Sequence, residues 1–234
     1  MLGGPGYSGG PPALVAYGMQ LPLFPLDVVA FPGMTVPLQL FEARYRRMAR
    51  WVLEQEEKRF VLVLGKAASL ADAPAPPVHR VGTVMDVARL EERVDGTFEL
   101  VAYGQERVKV DAAEREDVSE PDGSTRPLFF TAYEPYPLER DDPNEERVAA
   151  WDTLEAFRRY ASVVFEFDAQ RQIDANLPDD PLYQASLVCA NLRVPSASRQ
   201  VLLEAPSLIA RFELAQELMR ERLSEDTPAR EQEA

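Results

Sequence analysis

The chain is predicted to be an α+β protein: a β-rich part with one inserted helix, then a helical bundle. Three observations carry this. Short apolar runs separated by turn residues dominate from Gln20 to about Pro137. One segment within that span, Phe41–Gln55, has helical spacing instead. After Pro137 every patterned segment repeats at three or four residues, the period of a helix with one buried face.

Leu21–Val29 and Thr35–Leu40 are apolar but interrupted by prolines, which suits edge or bulged strands, and Phe31-Pro32-Gly33 makes the turn between them. Phe41–Gln55 places Tyr45, Met48 and Trp51 or Val52 on one face and Arg44, Arg46, Arg47 and Arg50 on others. Phe60–Leu64 is a continuous apolar run, expected of a strand buried on both faces. A loop rich in Ala, Pro and Asp follows from Ala67 to Pro77. Val78–Leu90 and Thr97–Tyr103 are strand-like and flank Asp95-Gly96, a hairpin dipeptide because glycine accepts the positive φ of a tight turn. Arg107–Asp111 continues after Gly104, Pro121-Asp122-Gly123 turns the chain again, and Pro127–Tyr136 closes the series. Strands at this spacing with one early helix predict a barrel-like sheet.

In the second part, Asp142-Pro143 and Asp180-Pro181 each place an acid at a helix N-cap and proline at the first helical position. The pairs Asp141-Asp142 and Asp179-Asp180 also have the composition of metal or acid–base carboxylates, but capping and the helix dipole account for them more simply. The first helix is expected to turn Val148, Trp151, Leu154, Ala161 and Phe165 inward, and the next Leu182, Ala185, Cys189 and Leu192. Ser196 is expected to cap a short helix carrying Val201–Leu203, and Ser207 a final one carrying Leu208, Phe212, Ala215, Met219 and Leu223. The reading divides the chain into a flexible arm (1–18), a β-rich domain (19–137), a helical bundle (138–226) and a frayed tail (227–234). Patterned sequence begins just after Met19, which makes that methionine an alternative start.

Composition limits the function. A compact chain of 234 residues buries about 70% of its unfolded surface, enough for a core without disulfides or metals. The net charge of -14, with only Lys58, Lys66 and Lys109 as lysines and no basic tract, argues against a nucleic-acid partner. Residues 1–137 carry -5 of that charge and residues 138–234 carry -9. The single Cys189 excludes an internal disulfide, suits a reducing cytoplasm, and at its helical position reads as a small core residue. No apolar window reaches the roughly 18 to 20 residues that span a bilayer, so no membrane association is expected.

Catalytic motifs are wanting. Gly4-Pro5-Gly6-Tyr7-Ser8-Gly9 spells a dinucleotide fingerprint, but no strand precedes it and Pro11-Pro12 follows. Gly65-Lys66 lacks the first glycine and the hydroxyl of a phosphate loop, since Phe60 and Ala67 stand there. With His79 as the one histidine, histidine-based zinc sites and Ser-His-Asp triads have no parts. The expectation is no cofactor, no metal and no catalytic residue; a Ser-Lys pair is the one chemistry that composition leaves open.

Two longer segments are more specific. Leu21-Pro22-Leu23-Phe24-Pro25-Leu26, Phe31-Pro32-Gly33, Pro37-Leu38 and Phe41-Glu42-Ala43-Arg44-Tyr45 together resemble the opening of the Lon protease N-terminal domain family, in the form of its stand-alone bacterial members. Gly82-Thr83, Gly104-Gln105-Glu106-Arg107-Val108 and Leu202-Leu203-Glu204-Ala205-Pro206-Ser207 with Arg211 follow in the family's order, so the resemblance covers about residues 20–224. It implies a PUA-like pseudo-barrel followed by a helical bundle, and a non-catalytic module that recognises unfolded or exposed protein segments in quality control. The ATPase and peptidase domains of full-length Lon would follow where this sequence stops. Recognition requires exposed apolar side chains, and Phe31, Met34 and Met85 are the candidate peptide contacts; the alternative is that all three pack in the core. Two competing functions remain: an RNA-binding PUA-like module with a basic groove lined by Arg44, Arg47 and Arg50, and a small-molecule enzyme pairing one of the lysines with a serine.

Overall fold

A computed structural model describes residues 20–66, 77–165 and 169–231. The Gly/Pro-rich arm, most of the Ala67–Pro77 loop and the last three residues lie outside that set. The elements run β1 (Leu21–Leu26), β2 (Thr35–Leu40), α1 (Ala43–Glu54), β3 (Arg59–Gly65), β4 (Val78–Glu92), β5 (Phe98–Ser119) and β6 (Thr125–Pro135). They continue with α2 (Pro143–Val164), α3 (Ala169–Ala175), α4 (Pro181–Asn191), α5 (Ser196–Glu204) and α6 (Leu208–Glu231).

The six strands follow the order β2-β5-β4-β3-β1-β6, and β6 returns to pair with β5. Five strands therefore close a ring, and β2 is added to the first half of β5. Only β1 and β3 pair in parallel; the other pairings are antiparallel. The long β5 makes closure possible. Its residues 98–109 pair with β4, and its residues 108–119 pair with β6. Thr97–Tyr103 and Arg107–Asp111 belong to one strand bent at Gly104: Thr83 and Met85 of β4 face Arg107 and Gly104, so β5 carries the extra residue of a bulge.

All five ring strands contribute to one apolar cluster, through Leu23, Val61, Val84, Val108 and Phe129 among others. The alternate residues Phe24, Phe60, Leu62 and Met85 join Phe98 and Leu100 beneath α1, against Tyr45, Met48 and Val52. The continuous run of β3 is thus explained, because Phe60 and Leu62 face α1, Val61 and Val63 face the ring cluster, and Leu64 packs against the helical core. The side chain of Glu42, at the N-cap of α1, makes no cap bond; instead Glu120, from the β5–β6 hairpin, accepts from the Ala43 N–H at 3.1 Å. Gly96 and Gly123 turn the two hairpins with φ of 77° and 83°.

The helices pack around Leu154, Phe157, Tyr160, Cys189, Leu203 and Met219, and this cluster runs on into the β-rich part through Val29, Phe31, Leu64 and Val81. Asp142 accepts from the N–H groups of Asn144 and Glu145, and Asp180 from that of Leu182, so both acids cap as expected. Ser207 caps α6 through the Ala210 N–H. Ser196 does not cap α5: it lies inside the helix, Pro195 holds the cap position, and its hydroxyl donates to the carbonyl of Asp27. The inward face of α2 also differs from expectation. Ala150, Thr153, Leu154, Phe157, Tyr160 and Ala161 are buried, whereas Val148 and Trp151 are 61% and 64% exposed. No helix among the described residues is long and apolar enough to cross a membrane.

Candidate binding groove between the barrel and the helical part

The β1–β2 turn is held from three sides. Gly33 has φ 85° and donates its N–H to the Gly104 carbonyl at 2.8 Å, while Gly104 donates to the Met34 carbonyl at 2.8 Å. The Thr83 hydroxyl donates to the Ala30 carbonyl at 2.7 Å. A Cβ at Gly104 would sit 2.4 Å from the Phe31 oxygen, and one at Gly82 would sit 2.5 Å from the Leu62 oxygen, so only glycine permits these approaches. The Phe-Pro-Gly, Gly-Thr and Gly-Gln-Glu-Arg segments, far apart in sequence, therefore fix one turn.

Two arginines fasten that turn's surroundings to the helices. Arg107, 4% exposed, donates from Nε to the Tyr136 carbonyl at 2.5 Å and from Nη2 to the Pro137 carbonyl at 2.9 Å. Its Nη1 donates to the Leu203 and Ala205 carbonyls at 2.7 and 2.6 Å. Arg211, fully buried, donates to the Leu202 and Leu203 carbonyls at 2.9 and 3.1 Å and lies 5.6 Å from the Phe31 ring centre. The last carbonyls of α5 have no partner within their own helix, and the negative end of its dipole faces both cations. Burial lowers both guanidinium pKa values, that of Arg211 to about 10. Gln200 completes the junction by donating to the Val81 carbonyl at 3.0 Å.

This junction leaves a groove of about 370 Å³ at its edge. Its barrel side is Gly33, Met34, Thr35 and Tyr103, and its helical side is Asn176, Pro178, Tyr183, Ser186, Leu187, Ala190 and Asn191. Thr35 and Tyr103 are cross-strand partners and so share one face of the sheet. Tyr183, Leu187 and Asn191 recur every four residues along α4, on a different face from the buried Ala185, Val188 and Cys189. The Tyr183 ring stands over Gly33: a Cβ there would lie 2.5 Å from Cδ1. Tyr103 and Tyr183 each remain 37% exposed, while Met34 and Leu187 are partly buried. Apolar and aromatic walls with a few neutral polar groups are the make-up of a site for apolar ligand groups.

The expected peptide contacts separate. Phe31 is 0% exposed, enclosed between the barrel and the helical core, and Met85 is 0% exposed beneath α1. Neither presents surface, so an exposed patch of all three residues does not exist. Met34 alone reaches the groove. Tyr103, Tyr183 and Leu187 were missed, although the second stripe on α4 was legible at helical spacing.

The competing chemistries find no such assembly. Arg44 pairs with Glu42 at 2.9 Å, Arg47 with Glu116 at 2.8 Å and Arg50 with Glu92 at 3.5 Å, so each of the three arginines expected to line a basic groove is matched by a carboxylate. No lysine lines the groove, and Lys109 holds its Nζ 3.9 Å from the Tyr136 ring centre. Among the described residues no cluster of His, Cys, Asp and Glu has the arrangement of a metal site.

Comparison with known proteins agrees with this architecture. Residues 20–221 match the family model of the ATP-dependent protease La (LON) substrate-binding domain. A Lon protease of Xanthomonas oryzae is 30% identical over 84% of this chain and 22% of its own length. That of Escherichia coli K12 is 25% identical over 86% and 24%. The chain thus spans about a quarter of the length of these relatives. The N-terminal domain of the Mycobacterium avium complex Lon protease superposes with a TM-score of 0.63 at 18% identity, covering 86% of this chain and 98% of that one. A Lon N-terminal domain protein from Xanthomonas campestris gives 0.54 at 21% identity, covering 83% and 95%. With the family model matched over nearly all the described residues and the same fold in solved relatives, the chain belongs to the Lon substrate-binding domain family.

Proposed function

We propose that the protein recognises unfolded or exposed segments of other proteins, without catalysis, by seating apolar side chains in the groove between Met34 and Tyr183. The observation that supports this most is the groove's construction. Half-exposed aromatic and aliphatic side chains from two separate parts of the fold converge there, on a turn fixed by Gly33, Gly104 and Thr83. A rigid frame reduces the ordering cost of binding, so a shallow groove retains useful affinity. A role in protein quality control is part of the same proposal, supported by the family relationship and by recognition of segments that folded proteins keep buried.

The test uses reduced, carboxamidomethylated lysozyme, which stays unfolded, labelled with fluorescein and titrated by anisotropy. Stoichiometric binding without nucleotide and without cleavage products is expected. Met34→Asp and Tyr183→Ala each weaken it about tenfold or more, because each removes a buried apolar contact worth about 1.5–3 kcal/mol. Unchanged affinity in the folded double variant removes the groove from the mechanism.

A further inference from the structure

We infer that the segment bound at the groove is held as an added β-strand, antiparallel to β2 along its free edge; this rests on the groove reading above and supplies the backbone half of recognition. β2 is the outermost strand of the sheet, and β5 is its strand partner. In an antiparallel ladder, successive residues point their N–H and C=O groups alternately at the partner strand and away from it. Gly104 of β5 donates to the Met34 carbonyl at 2.8 Å, so Met34, Val36, Leu38 and Leu40 are in the phase that faces β5. Pro37 agrees with this phase, because it has no N–H to give to the ladder. The backbone groups of Thr35, Pro37 and Gln39 therefore point off the sheet, and all three residues are exposed. Among the described residues these groups have no hydrogen-bond partner.

Edge and groove are continuous at Thr35, which lines the groove and shares a sheet face with its cross-strand partner Tyr103. In an added antiparallel strand, the residue opposite Thr35 bonds its backbone and lays its own side chain on that same face, beside the groove. Residues opposite Pro37 and Gln39 fall on the same face, so a segment with apolar side chains at alternate positions seats one of them there. Main-chain bonds read no particular sequence, which suits a recogniser of unfolded chains. Pro37 also favours a foreign segment over a second copy of this chain. A foreign residue gives its N–H to the Pro37 carbonyl. Two β2 edges paired about an axis at Pro37 set two proline carbonyls face to face without a donor, and any other register shortens the ladder. Proline on an edge strand guards against such self-pairing.

The experiment uses a fluorescein-labelled nine-residue peptide, Lys-Thr-Leu-Thr-Leu-Thr-Leu-Thr-Lys, read by anisotropy. Two further versions carry backbone N-methyl groups on the three leucines or on three of the threonines. Leucines on the groove face point their N–H groups at β2, so leucine methylation should weaken binding about tenfold or more and threonine methylation should change it little. Gln39→Pro removes an outward N–H at a residue outside the groove and should weaken the unmethylated peptide, whereas Gln39→Ser should not. The methylated peptides test the unmodified protein, and thermal melts confirm that each variant is folded. Equal effects of the two methylations, with a loss in Tyr183→Ala, leave the groove reading standing and overturn the added strand. Loss from the threonine set alone overturns the antiparallel arrangement. Leucine-set loss with no effect of Tyr183→Ala keeps the edge and removes the groove, and no binding of any peptide removes both. A dimer in sedimentation that Gln39→Pro dissolves gives the edge to a second copy and overturns the inference.

Discussion

Replacing Arg107 with methionine keeps an apolar stem and removes the guanidinium that joins β5 to the linker at Tyr136-Pro137 and to the end of α5. Four carbonyls lose a donor at once. Leu203 retains the Arg211 bond, but the Tyr136, Pro137 and Ala205 oxygens have no other donor from Arg211. Each buried acceptor left unpaired costs about 1–3 kcal/mol, and removal of a cation already disfavoured by burial returns part of that. The balance is a loss of about 3–5 kcal/mol, the usual outcome when one member of a buried charged network is deleted. For a domain of this size that lowers Tm by about 6–20 °C. The assay is urea unfolding of a Trp151→Phe background, which leaves Trp51, packed 5.4 Å from Phe130, as the reporter of the barrel. Circular dichroism at 222 nm follows the helices. The parent should give coincident transitions; Arg107→Met should lower the midpoint and separate the two curves, because the junction and not either core is damaged. A loss under 1 kcal/mol with coincident curves would refute the claim that this arginine joins the two parts.

Gly104→Ala should cost about 2–3 kcal/mol by driving a methyl into the Phe31 carbonyl, against about 1 kcal/mol for Gly123→Ala, which has open space but positive φ; the reverse order in urea would contradict the packing argument. The carboxyl of Glu146 is held below the usual range by two bonds from Arg140 and one from the Asp141 N–H, against the opposing effect of burial. Its stabilisation is therefore complete above the unfolded value near 4.5 and lost as pH falls through the lower folded value. Glu146→Gln should flatten the decline in stability between about pH 5 and pH 3, and an unchanged slope there would exclude this pair as a contributor. Burial pushes the Cys189 thiol up to about 12, so dithionitrobenzoate at pH 8 should label it only after denaturant is added; stoichiometric labelling of the native protein would show that α4 opens.

Much of the architecture was legible locally. The Asp-Pro caps of α2 and α4, the Asp-Gly hairpin and the two-faced run of β3 depend on neighbours within a few residues, and each appears as read. The bulge at Gly104 was not legible, because a bulge and a strand end share the same glycine signal. On α2, large side chains drew the inward stripe toward Val148 and Trp151. The actual stripe uses Ala150 and Thr153 against α6, where small residues and a hydroxyl fit close packing; Gln216 donates to the Thr153 hydroxyl at 2.8 Å. Phe31 looked like an exposed turn residue because the helices that cover it begin more than a hundred residues later. The groove joins residues 33–35, 103 and 176–191, and no window of sequence spans those separations.

The resemblance located the right family through residues whose structural work is now plain. Gly82, Gly104, Arg107 and Arg211 hold strands, a turn and helix carbonyls in place, and none of them lines the groove. Frame and contact thus fall to different residues. The most direct measurement places a photo-crosslinking amino acid at Met34 and, in separate proteins, at the exposed Trp151 and Phe41, then irradiates each with reduced, carboxamidomethylated lysozyme. Crosslinks from position 34, competed by unlabelled unfolded protein and weak or missing from positions 151 and 41, are the expected result. Strong crosslinks from position 151 or 41 with none from position 34 would contradict the account and move recognition to a different face.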